Sequence, residues 1–155
     1  MISNIEIIFG LANRTKKYGI ANKLADPEKI SLDKLFEIGI DGVDGAENYG
    51  WHQKDLKIIS KNPEKSHFTK IELIKNENLN LEEIIKKYKL DKKCEFINGV
   101  FMHDRVSTKS IYLYKKILLP LKQLLPLKIG ISIYNQEDLK IIEDNNLAID
   151  ILQLP

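Results

Sequence analysis

With 155 residues, 43% of them hydrophobic, the chain is long enough to bury a sizeable single core and too apolar to be disordered. Its 24 basic residues against 22 acidic leave a formal charge of +2 with both signs interspersed, so there is no basic face for nucleic acid. Cys94, the one cysteine, rules out an intrachain disulfide and a thiolate zinc cluster and fits a reducing compartment. The start, Met1-Ile2-Ser3-Asn4, lacks a basic leader segment, and no apolar run approaches the ~18 residues of a membrane span. A cytoplasmic location with no membrane partner is therefore expected.

Residues 5–11 carry Ile5, Ile7, Ile8 and Phe9 with a single charge and stop at Gly10-Leu11-Ala12-Asn13, which predicts a first strand opening into a loop. Ser31 stands where it can cap a helix whose apolar residues Leu32, Leu35, Phe36 and Ile38 fall near helical spacing, and Gly39 closes that helix as a C′ glycine. A second strand follows through Val43 to Ala46, then a helix marked by Trp51, Leu56, Ile58 and Ile59 and broken at Asn62-Pro63. Residues 66–73 form a third strand around Phe68 and Ile71, and Leu81, Ile84, Ile85 and Tyr88 a third helix. The second half repeats the rhythm. Residues 99–102 are a short apolar strand ending at His103, residues 107–125 a helical stretch interrupted by Pro120, and residues 128–133 a fifth strand. Asn135 caps a helix bearing Leu139, Ile141 and Ile142, and residues 148–155 read as a sixth strand.

Strands alternating with helices across short connections imply a parallel sheet with right-handed crossovers. Two architectures compete, an open doubly wound sheet and part of an eight-stranded (β/α) barrel. Phe9-Gly10-Leu11-Ala12-Asn13-Arg14 holds neither a Gly-x-Gly-x-x-Gly turn nor a P-loop, which weighs against the open nucleotide-binding sheet. A full barrel runs to ~250 residues, so the expectation is an α/β fold with one incomplete parallel TIM-type (β/α) barrel domain over residues 1–155, about six of its eight strands present.

Parallel strands gather their C-terminal ends on one edge, where the active sites of such folds lie. Asp44 ends strand two, Lys70 strand three and His103 strand four, while Tyr49 stands five residues past Asp44 and can fold back over the same edge. Singly, these read as a turn residue, a solvated strand end, a satisfied histidine and a surface aromatic. Gathered, they suit proton transfer to a carbonyl oxygen. A phenol titrates near ~10, but a neighbouring ammonium favours the phenolate and makes the phenol a better acid. Lys70 supplies that charge, Asp44 keeps it ionised and oriented, and His103 hydrogen-bonds the carbonyl oxygen. The set lacks a reductant, since no side chain delivers hydride. No metal is expected: His103-Asp104 resembles a metal-binding pair, yet His52 and His67 stand at no ligand spacing from it. Trp51, Tyr112 and Tyr114 read as packing residues, and with 22 lysines against 2 arginines, pairs such as Lys86-Lys87 and Lys115-Lys116 read as solvated helix faces.

Asp44-Gly45-Ala46-Glu47-Asn48-Tyr49-Gly50, with Lys70 after strand three and His103 after strand four, resembles the aldo-keto reductase family, whose barrel holds NADP(H) and uses an Asp-Tyr-Lys-His tetrad. Gly10-Leu11-Ala12-Asn13 and Tyr18-Gly19-Ile20-Ala21-Asn22 are similar to the opening of one bacterial subgroup, and Ile129-Gly130-Ile131-Ser132 and Ile151-Leu152-Gln153-Leu154-Pro155 to the family's strands five and six. The resemblance implies an NADP(H)-dependent oxidoreductase acting on a small carbonyl or alcohol, with Tyr49 as general acid, Lys70 and Asp44 as its tuning pair and His103 orienting the carbonyl. It further implies that Ser132 and Gln153 hold the nicotinamide carboxamide. Three departures stand out: Gly45 replaces the usual threonine, Trp51-His52-Gln53 stands where Ser-Glu is frequent, and Ile133 stands where many members carry asparagine.

The sequence ends at strand six, whereas the family's strands seven and eight carry the tyrosine that stacks on nicotinamide and the basic segment that grips the 2′-phosphate. The expectation is a fragment or truncated product that binds NADPH weakly. Strand one, apolar at Ile7, Ile8 and Phe9, and strand six, apolar at Ile149, Ile151 and Leu152, would then offer open edges for self-association. Two other readings stand beside this one: a catalytically incomplete remnant serving as a binding or assembly subunit, and an open-sheet α/β enzyme of another reaction class.

Overall fold

The computed structural model, which describes residues 7–14, 31–46 and 53–154, follows the alternation of strand and helix read from the sequence. In chain order come β1 (Ile8–Gly10), a 3₁₀ turn (Leu11–Arg14), α1 (Leu32–Glu37), β2 (Gly42–Ala46), α2 (Gln53–Ser60) and β3 (Ser66–Ile71). A 3₁₀ turn (Ile74–Asn76), α3 (Leu81–Tyr88), α4 (Leu90–Lys93), β4 (Gly99–Met102) and α5 (Thr108–Leu113) follow. A π turn (Tyr114–Leu118), α6 (Leu119–Leu124), β5 (Lys128–Ser132), α7 (Gln136–Asp144) and β6 (Ile151–Gln153) complete the series. No described helix is long and apolar enough to cross a membrane.

The strands neighbour one another in sequence order, β1-β2-β3-β4-β5-β6. The registered pairs β1–β2, β4–β5 and β5–β6 are all parallel. A doubly wound sheet would reverse its winding at a switch point, and no such reversal occurs among the described strands. Sequential parallel order is that of a (β/α) barrel, here with six of the eight strands. The open-sheet reading is thereby set aside. The chain divides into two compact units, Met1–Thr69 and Lys70–Pro155, the division falling within β3.

In the first unit, register pairs Ile8 with Gly42, Phe9 with Val43 and Gly10 with Asp44. Val43 lies in a cluster with Leu11, Leu32, Leu35 and Ile59, against which Phe9 and Phe36 pack. Because successive strand residues point to opposite faces, Phe9 and Val43 mark the face covered by helices, and Gly10 and Asp44 belong to the other. His67 is on the covered face as well, its ring edge-on to Phe36 at 5.8 Å. Helix α1 ends as its sequence prescribes, with Gly39 at φ 89°, a left-handed conformation that glycine adopts without steric cost. The amide of Ser66 donates to Asp41 O at 2.8 Å, which starts β3 alongside β2. Trp51, expected in the second helix, lies outside the described residues.

In the second unit, Ile71, Val100, Met102, Ile129, Ile131 and Ile133 share one cluster with Ile84, Ile111, Leu118 and Ile142 from the helices. This is the covered face of β3, β4 and β5. The expected strand through Leu73 stops at Ile71, because the Leu73 amide donates to the Asp104 carboxylate instead of continuing a ladder. The expected break at Pro120 also moves. The helical path runs on through residues 108–124, and the irregularity is the π turn ahead of the proline, which sits in the first turn of α6. A widened turn frees the carbonyl that proline, lacking an N–H, cannot serve. The sixth strand is shorter than expected, since Asp150 turns its side chain back to the Ile129 amide at 2.8 Å and to Lys122 at 2.5 Å just before β6 begins.

Candidate active site at the ends of the strands

Pleat alternation decides which side chains share the uncovered face of the second unit. Ile71, Met102 and Ile131 point into the helix-covered cluster. Their chain neighbours Lys70, His103 and Ser132 therefore point the other way, at the C-terminal ends of β3, β4 and β5. Register places Gln153 of β6 opposite Ser132, on the same face. Four of the six residues singled out from sequence thus stand on one face at successive strand ends.

The chain after β4 is tied to β3 by the His103 amide, which donates to Ile71 O at 2.9 Å. The imidazole of His103 is half-buried, and its pKa falls below the usual 6.5, first because burial penalises the charged ring and then because the Lys70 ammonium repels it; Glu72 and Asp104 pull weakly the other way. At neutral pH the ring is accordingly uncharged and donates one N–H without acting as a strong acid. Lys70, itself partly buried, acts electrostatically on this ring.

Ser132 is buried at 8% exposure, and its hydroxyl donates to Gln153 Oε1 at 2.8 Å. The pair follows from register alone: once β5 and β6 align Ser132 with Gln153, a short hydroxyl and a long amide meet across the strands. One pleat back, Phe101 lies over Gly130, where a Cβ would come within 2.3 Å of the ring.

Asp44 belongs to the first unit and is 2% exposed. β2 ends at Ala46, as the sequence predicts, so Asp44 lies two residues inside the strand and not at its end. It occupies the uncovered face opposite Gly10, where a Cβ would lie 3.7 Å from Asp44 Oδ1, so the glycine leaves the carboxylate room. Tyr49 lies outside the described residues.

In the sequence Asp104 stands out only as half of a metal-binding pair. In the structure its carboxylate accepts hydrogen bonds from the backbone amides of Leu73 and Ile74. These bonds span 31 and 30 residues, so no local sequence signal could have announced them. Among the described residues, no three His, Cys, Asp or Glu side chains gather in a way that could hold a metal.

No family model matches the chain. No curated protein matches it in sequence. Solved structures do resemble it. MGS-M4, an aldo-keto reductase enzyme from a Medee basin deep-sea metagenome library, aligns with 98% of this chain and 55% of its own, at 17% identity and a TM-score of 0.62. Its likeness is that of a partial (β/α) barrel. Gox0644 in its apo form aligns over 78% of this chain and 46% of its own, at 19% identity and a TM-score of 0.52. An enolase family member from Agrobacterium tumefaciens aligns at a TM-score of 0.45 and 16% identity, over 97% of this chain and 39% of its own. The chain spans about half the length, 55% and 46%, of the first two. At such identities the likeness is one of fold, and the chemistry rests on the residues themselves.

Proposed function

We propose that this chain is an aldo-keto reductase-like oxidoreductase that transfers hydride between NADP(H) and a small carbonyl or alcohol. The observation that carries the reading is the Ser132–Gln153 hydrogen bond at the ends of β5 and β6, on the same face as Lys70 and His103. A serine hydroxyl accepts from an amide NH₂ and a glutamine amide donates to a carbonyl, a donor set that fits the primary carboxamide of nicotinamide. When bound, NADPH supplies the hydride.

The residues divide the remaining work. Ser132 and Gln153 would hold the carboxamide of the nicotinamide. His103, uncharged at neutral pH, donates to the substrate oxygen and orients the carbonyl. Tyr49 would give its phenolic proton to the substrate oxygen as the carbonyl is reduced to the alcohol. By the family resemblance, Lys70 would stabilise the phenolate that remains and Asp44 would balance the lysine's charge. The MGS-M4 likeness supports the reading at the level of fold.

NADPH oxidation with a panel of aldehydes and ketones tests the proposal. In a chain that turns over, Tyr49→Phe is expected to lower turnover by a factor on the order of 10²–10⁴ while leaving cofactor binding largely intact. Unchanged turnover would mean that another group is the acid.

A further inference from the structure

We propose that Asp104 is a positioning residue, a clamp that locks the chain leaving β3 to the chain leaving β4 and thereby holds Lys70 and His103 in fixed relation. This rests on reading those two as site residues, but the clamp itself stands on geometry. Ile71 O accepts from the His103 amide at 2.9 Å. Just beyond, the Leu73 amide donates to Asp104 Oδ2, and the Ile74 amide lies 3.3 Å from both carboxylate oxygens.

The two segments are therefore laced at two successive points just beyond Lys70, by the backbone bond from His103 and by the Asp104 carboxylate. Lys70 immediately precedes Ile71, and His103 immediately precedes Asp104. Sliding either loop along the other would break the bonds together. The two amides also open the 3₁₀ turn Ile74–Asn76, where no earlier carbonyl of the turn can serve them, so the carboxylate meets a need that the backbone leaves. The other charged groups acting on the His103 ring are Lys70, Glu72 and Lys75, and the last two pair with each other at 2.6 Å. A side chain that must present an N–H to a substrate oxygen gains from being held this way, because small misplacements of a positioned group reduce the rate steeply.

The test is the NMR titration of the His103 ring in the unaltered chain and in Asp104→Ala and Asp104→Asn. Losing a neighbouring carboxylate would by charge alone lower the titration midpoint further. Losing a clamp lets the ring reach solvent and leave Lys70, so the midpoint of Asp104→Ala is expected to rise toward 6.5. Asparagine keeps the volume and one acceptor oxygen but loses the charge, so the His103 midpoint of Asp104→Asn is expected to lie below that of Asp104→Ala; if the alanine variant fails to fold, the amide exchange of Leu73 and Ile74 in Asp104→Asn, expected to be faster than in the unaltered chain, decides the matter. The Leu73 and Ile74 amides should exchange on the order of ten- to a hundredfold faster in Asp104→Ala. The His67 midpoint reports general loosening and is expected to stay put. In Asp104→Ala a midpoint for His103 that falls or does not move, a His67 midpoint that shifts equally, or unchanged exchange of the Leu73 and Ile74 amides in either variant, would overturn the clamp. Because the titration needs no turnover, failure of the reductase reading would leave this result to be judged separately.

Discussion

Replacing Gly130 by alanine drives a methyl group into the ring of Phe101, one pleat behind the candidate site. The new Cβ would lie 2.3 Å from Phe101 Cε1, 2.4 Å from Cδ1 and 3.0 Å from Cγ, well inside contact distance. Phe101 is 4% exposed, so its ring must shift against packed neighbours. Overpacking of this kind costs about 1–3 kcal/mol. Alanine also restricts the unfolded chain, which returns about 0.5–1 kcal/mol, so the net loss is about 1–2 kcal/mol. For a chain of this length that corresponds to a fall in Tm of about 3–6 °C. The cause is tested by a double-mutant cycle with Phe101→Leu, read by thermal and urea unfolding followed by circular dichroism. The smaller side chain relieves the clash, so the double variant should be more stable than the summed single costs by about 1 kcal/mol or more. Costs that add within about 0.5 kcal/mol, or a Gly130→Ala variant as stable as the parent, would refute the packing argument.

Two further outcomes follow from buried groups. His67, lowered chiefly by burial, and His103, lowered by burial and Lys70, both bind protons less readily folded than unfolded. Their contribution to stability is thus complete above the unfolded value of 6.5 and is lost as pH falls from there through the folded values; the urea midpoint should drop between about pH 7.5 and about pH 5.5, and a flat profile would contradict the assignment. Tyr114 is fully buried and donates to Ala148 O at 2.8 Å, with burial and then the Asp150 charge pushing its phenol up to about 12. Tyr114→Phe should cost about 0.5–1.5 kcal/mol in unfolding measurements and remove the step near 12 from the phenol absorbance titration; loss of a lower step instead would show that the buried phenol had been misassigned.

What the sequence revealed and what it hid divide along local and non-local lines. Gly39 after Ile38 and Asn135 before α7 announce helix ends because capping is settled within a few residues. Ser132 and Gln153 stood out through the family resemblance alone, and their direct meeting follows from the register of β5 and β6. The relation of Asp104 to Leu73 was illegible, since it depends on where two loops thirty residues apart come to rest. The extent of β2 to Ala46 is legible in sequence, but that Asp44 lies inside the strand, on its uncovered face, follows only from the register with Gly10. Pro120 marked an irregularity correctly, but the widened turn relieving it lies on the N-terminal side, where the missing hydrogen bond would have formed.

We propose that the uncovered face where β5 and β6 end holds nicotinamide. Titration of the isotopically labelled chain with NADPH up to millimolar concentration, followed by backbone and side-chain NMR shifts, tests it most directly and detects weak binding. Saturable shifts are expected to centre on Ser132, Gln153 and His103 and to weaken in Ser132→Ala. Shifts confined to residues elsewhere, or none at millimolar NADPH, would contradict it.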